Sequence, residues 1–154
     1  MWSSTLTAYL HYLGFMVAFA ALVVEHQLFA SELSLKQAWR LVITDSLYGL
    51  AAVTVLVTGV LRVMYFGQGT AYYLHSPVFH VKVGLFILVG LLSLYPTISV
   101  ITWISGLRKQ EPPTLTTAQG QRFIWIVRGE LLGLALIPLL AAMLARGVAL
   151  PFLA

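Results

Sequence analysis

Residues 46–66 read SLYGLAAVTVLVTGVLRVMYF, and Arg62 is the only charged residue among them. Roughly 20 apolar residues in a helix cross about 30 Å of hydrocarbon. A helix is the favoured spanning form because it satisfies its backbone N–H and C=O groups within the segment, where lipid offers no partners. Working outward from this run, residues 6–29, 78–104 and 123–148 have the same character. The expected fold is therefore all-α, an integral membrane bundle of four transmembrane helices forming a single domain over residues 1–154.

Composition agrees. The 154 residues are 60% hydrophobic and 9% charged, with mean hydropathy +0.91. A soluble domain of this length carries far more charge. Nine Lys and Arg against five Asp and Glu leave a formal charge of +4. The basic residues cluster in connections and at helix ends, which suits membrane orientation rather than nucleic acid. There is no nucleic-acid motif and no glycine-rich phosphate loop. The absence of cysteine excludes disulfides, thiolate metal sites and iron–sulfur clusters. No cleavable signal peptide is expected, because the first ten residues lack Lys and Arg and the first apolar run is too long.

Three connections remain. Residues 30–45 mix Leu33, Leu35, Trp39 and Val42 with Glu32, Lys36 and Arg40, the pattern of a short interfacial helix. Residues 67–77 are short and aromatic. Residues 105–122 are polar and broken by Pro112-Pro113. Lys36, Arg40, Arg108, Lys109, Arg122 and Arg128 lie toward one side, and Arg62, Lys82 and Arg146 toward the other. Six against three predicts both termini outside the cytoplasm, in a bacterial inner membrane. Trp2, Trp39, Trp103 and Trp125 fall near the interfaces, where an aromatic belt is expected.

Ionisable groups at membrane depth are costly and mark pairing or function. His11 continues a helical stripe through Gly14, Ala18, Ala21 and Glu25. Small residues mark close helix contact, so this stripe and His11 face the bundle. A neutral imidazole there is either a haem or metal ligand or a hydrogen-bonding tie to a neighbouring helix. A second inward face runs through Asp45, Tyr48, Ala52, Gly59 and Arg62. Arg62 either neutralises a carboxylate such as a propionate or snorkels to the interface. In the third span, His80 and Lys82 are two residues apart and point to nearly opposite faces. The Lys82 face, with Phe86, Gly90, Ser93 and Thr97, is the more polar and is expected inward. At the other end lie Glu25, Asp45, Arg128 and Glu130; the expected arrangement pairs Arg128 with Glu25 or Asp45. A proton-relay role for Glu25 or Glu130 is the lesser alternative. His26 and His75 receive no role. The scattered histidines do not suit zinc. Spans two and four contain no histidine, which disfavours a two-haem arrangement. Inverted repeats of the transporter kind are not evident.

The chain resembles an uncharacterised bacterial family of small four-helix membrane proteins. The stretches that carry this are Asp45-Ser46-Leu47-Tyr48-Gly49 and Leu92-Ser93-Leu94-Tyr95-Pro96-Thr97. It is more distantly similar to the HemJ type of protoporphyrinogen oxidase and to CopD-like membrane domains. That similarity rests on His11 with Gly14 and Glu25-His26, on Phe79-His80-Val81-Lys82, and on Arg128-Gly129-Glu130. The HemJ resemblance implies a haem b membrane oxidoreductase that oxidises protoporphyrinogen IX with a quinone acceptor. It makes His11 the ligand of the haem iron and Lys82, Arg128 and Glu130 the catalytic residues. His80 would be a second ligand, and Arg62 or Lys82 would meet the propionates. HemJ-type proteins have Arg where this chain has Glu25. Their Asn and Pro around the last acidic residue are Gly129 and Leu131 here. Expected partners are the lipid bilayer, quinone, porphyrin and a second copy of the chain, with no nucleic acid. The rival classes are a non-enzymatic scaffold or haem or metal carrier of the CopD-like kind, and a purely structural bundle.

Overall fold

A computed structural model describes residues 2–148. Five α-helices follow one another: α1 (Trp2–Leu28), α2 (Leu35–Leu61), the short α3 (Thr70–Leu74), α4 (Pro77–Arg108) and α5 (Thr117–Ala145). There is no strand among the described residues. The α2 helix continues through a π-helical turn, Arg62–Phe66. With that turn included, α1, α2, α4 and α5 are each long and apolar enough to cross a membrane. They pack as a ring in which α2 touches α1 and α4, and α5 touches α4 and α1.

The helix starts follow from local chemistry. Ser34 caps α2: its hydroxyl accepts from the Gln37 amide, and Gln37 in turn accepts from the Ser34 amide. Thr116 and Gln119 form the same reciprocal box at α5. Ser76 caps α4, with Pro77 in the first turn, where a missing N–H costs nothing. The strong cap at Ser34 corrects one expectation. The amphipathic stretch read as a separate interfacial helix is instead the opening of α2, and Ala38 and Leu41 there are wholly buried. They pack with Leu33 and Leu107 into a small core below the main one.

Small residues set the spacing inside the ring. Gly14 on α1 meets Ala51, Thr54 and Val55 of α2. A Cβ on Gly14 would lie 3.2 Å from Val55 Cγ2 and 3.3 Å from the Ala51 carbonyl oxygen. Gly133 on α5 rests directly on Val89 of α4, leaving no room for a Cβ. Such contacts replace the hydrophobic drive that lipid removes. The main core joins Ala18, Ala21, Leu22, Tyr48, Ala51, Val89, Val100, Phe123, Val127 and Leu134 from all four spans. The outward faces stay apolar: Leu50 is 67% exposed and Leu132 is 64% exposed. Surface of this kind, continuous along long helices, is what lipid chains cover. After the π-turn, Gly69 adopts φ +93°, which L side chains avoid, and turns the chain into α3. The Tyr72 hydroxyl of α3 then donates to the Leu144 carbonyl of α5 at 2.7 Å.

Candidate functional site

Two polar clusters lie inside the ring, toward opposite ends of it. His11 and Glu25 sit fourteen positions apart on one face of α1, about 21 Å along its axis at 1.5 Å per residue.

The first cluster is built on His11. Its Nδ1 lies 3.1 Å from the Val55 carbonyl oxygen and 3.0 Å from Thr58 Oγ1, both on α2. A carbonyl oxygen can only accept, so Nδ1 carries a proton and donates. The Thr58 hydroxyl already donates to the Thr54 carbonyl at 2.5 Å and accepts from His11. In the neutral ring this leaves the lone pair on Nε2, which bonds to no described residue. Gly59 makes room for the ring, since a Cβ there would stand 3.3 Å from His11 Cε1. The π-turn carries Arg62 over the Tyr12 ring, with Cζ 5.0 Å from the centroid. Lys82, half-buried on α4, and Arg62 both stand within electrostatic reach of His11. Neither has a carboxylate partner among the described residues.

His80 does not join them. It is exposed, and its Nδ1 turns back to the Ser76 carbonyl at 2.9 Å on its own helix. On the Lys82 face Phe86, Ser93 and Thr97 are partly covered and Gly90 is exposed; on the His80 face Gly84, Ile87 and Leu91 are exposed and Tyr95 is partly covered.

The second cluster gathers acids from three spans. Glu25 on α1 and Glu130 on α5 are 0% exposed, and Asp45 on α2 is 6% exposed. Asp45 Oδ1 accepts from the Thr97 hydroxyl of α4 at 2.8 Å. All four carboxyl oxygens of Glu25 and Glu130 are buried without a hydrogen-bond partner. Tyr48, itself 4% exposed, stands among the three acids and beside Ser93. Arg128 is absent from this group, contrary to the expectation that it pairs with Glu25 or Asp45. It is exposed, donates from Nε to His26 Nε2 at 3.2 Å, and lies over Trp125 at 5.2 Å. The reason is helical phase: Glu130 is two positions beyond Arg128, so burying one turns the other outward. His26, assigned no role from sequence, is the partner Arg128 takes.

The family model described as Predicted membrane protein (DUF2214) matches residues 3–149. The chain belongs to that family. It is thus a DUF2214 membrane protein, and its four long helices sit in a lipid bilayer. No match was found among curated proteins or solved structures. The stretches that carried the resemblance have structural work in this DUF2214 fold. Asp45 and Tyr48 line the acidic cluster, and Ser93, Pro96 and Thr97 bring α4 against it. No group of three or more acidic or imidazole side chains among the described residues is arranged to hold a metal ion. His11 is therefore a lone nitrogen donor.

Proposed function

We propose that this chain is a haem b-binding membrane oxidoreductase of a bacterial cell membrane. The HemJ-like oxidation of protoporphyrinogen IX, with quinone as acceptor, is its most concrete form. The observation that carries this reading is the orientation of His11. Its Nδ1–H donates to a backbone carbonyl, the arrangement that fixes the tautomer of metal-bound histidines and frees Nε2. Arg62 and Lys82, cations without carboxylate partners beside it, suit the two propionates of a haem. A haem bound there would supply one-electron redox chemistry in the membrane. The chain's own residues would hold and orient it: His11 from α1, braced by Val55 and Thr58 of α2, with the cations at the same end. In this reading Lys82 contributes a positive charge facing an anionic group. Glu130, at the other end of the bundle, lies too far along it to touch the same ligand. If the Lys/Arg count sets the orientation, the His11 end would face the outer side and a porphyrin would reach it from the lipid.

A second reading has support of its own. Both His11 contacts are made to α2, so the ring also serves as a tie between α1 and α2 in a carrier or purely structural bundle.

The deciding experiment is an absorption spectrum of the detergent-purified protein from haem-replete cells, oxidised and dithionite-reduced, beside His11→Ala. A b-type spectrum in the wild type, lost in the variant, is expected. A featureless wild-type spectrum overturns the haem reading. With haem present, turnover of protoporphyrinogen separates an oxidase from a carrier.

A further inference from the structure

The acidic cluster poses a problem that the haem reading does not address. Three carboxyl groups converge from α1, α2 and α5, and no cation among the described residues meets them. The groups facing the cluster are few. From α1 comes Glu25; from α2, Asp45 and Tyr48; from α5, Glu130. The α4 helix contributes only the hydroxyls of Ser93 and Thr97. Arg128 and His26, the nearest basic residues in sequence, are bonded to each other outside.

Counting donors sharpens the problem. An ionised carboxylate only accepts. Thr97 spends its hydrogen on Asp45, and Ser93 donates to the Gly90 carbonyl at 2.8 Å. Tyr48 stands beside Ser93, whose own hydrogen goes to Gly90, so the Tyr48 hydroxyl is left to donate to Ser93, and the four buried oxygens of Glu25 and Glu130 have no donor at all. A buried polar group without a partner is costly, and a buried charge without one far more so. A cation resolves both deficits. A metal ion is the poorer fit, because the acids are not arranged to share one. A proton fits better: each proton bound to a carboxylate removes one buried charge and needs no second ligand.

We propose that Glu25, Asp45, Tyr48 and Glu130 form an occluded proton-binding site in the DUF2214 bundle. The protons sit on the Glu25 and Glu130 carboxyls. Asp45, held by Thr97, is the fixed acceptor wall. Because the site is closed off, exchange with water needs α1 and α5 to part at Glu25 and Glu130. This inference does not depend on haem.

Infrared spectroscopy of the full-length protein in a detergent without ester or carboxyl groups, at neutral pH, tests it. The chain has only five acidic residues, and the other two, Glu32 and Glu111, are exposed. A C=O stretch of a protonated carboxylic acid in the folded wild type therefore reports the cluster. The expected result is such a band, reduced in Glu25→Gln and in Glu130→Gln, unmoved by millimolar Na⁺ or Ca²⁺, and downshifted slowly in D₂O. Two results overturn the proposal: a wild-type spectrum with carboxylate bands alone, or an acid band that gives way to carboxylate when a metal ion is added. If neither variant folds, the wild-type spectrum and its response to added metal still decide. A featureless visible spectrum leaves this proposal standing, so the two readings fail separately.

Discussion

The Nδ1 of His11 on α1 stands 3.1 Å from the Val55 carbonyl of α2 and 3.0 Å from Thr58 Oγ1. The imidazole thus joins two helices through one nitrogen and leaves the other unbonded. Replacing Thr58 by Val removes one acceptor and keeps the carbonyl. Interhelical hydrogen bonds in membranes contribute about 0.6 kcal/mol on average. Thr58→Val should lower unfolding stability in bicelles by about that much and preserve any His11-dependent spectrum. Loss of the spectrum would mean that the hydroxyl, not the carbonyl, orients the ring.

The pairing of Arg128 with His26 outside the bundle gives a second expectation. Breaking a buried ion pair costs about 3–5 kcal/mol, whereas surface substitutions stay within about 0.5 kcal/mol. Arg128→Ala should behave as the surface case in thermal denaturation. A cost in the buried range would place Arg128 against Glu25 or Asp45 after all.

Thr97 is the donor to Asp45 Oδ1. Thr97→Val keeps the side-chain shape and strands a buried acceptor, at a cost of about 1–3 kcal/mol. Thr97→Ser should recover most of it. The contrast between the two, read from unfolding midpoints in detergent, separates a lost hydrogen bond from lost packing.

Gly133 has no room for a methyl against Val89, whereas Gly49 on α2 meets nothing within 4 Å. Overpacking costs about 1–3 kcal/mol. Gly133→Ala should fall in that range, and Gly49→Ala should be neutral or stabilising. Equal effects at the two positions would show that α4 and α5 do not meet as closely as the structure has them.

Orientation can be read from single cysteines, because the chain has none of its own. Gln68 lies in the connection at the His11 end, and Gln110 follows α4 at the other end; both are exposed. In intact cells, Gln68→Cys should react with a membrane-impermeant maleimide and Gln110→Cys should not. The reverse labelling would invert the charge-based orientation and put His11 on the cytoplasmic side.

The all-α fold and its four spans were legible in the sequence because lipid imposes a one-dimensional rule. An apolar run long enough to cross must be helical, whatever its neighbours are. The stripe from His11 to Glu25 was legible for a related reason: a helix has a fixed period, so Gly14, Ala18 and Ala21 mark the face that meets another helix. Helix limits were less so. The Ser34 box starts α2 well before residue 46, and polarity alone does not distinguish a capped helix from an interfacial one. What only the tertiary structure decided is which polar groups meet. Charge suggested that Arg128 would join the acids. The phase of α5 buries Glu130 and turns Arg128 out to His26, leaving Glu25 and Glu130 without a cation. Likewise, His11 was placed facing the bundle by sequence, but its partners depend on how α1 slides along α2, and so does the nitrogen left open. A helix's own period sets its faces. The axial register between helices, fixed by contacts such as Gly14 on Ala51 and Gly133 on Val89, sets which faces meet.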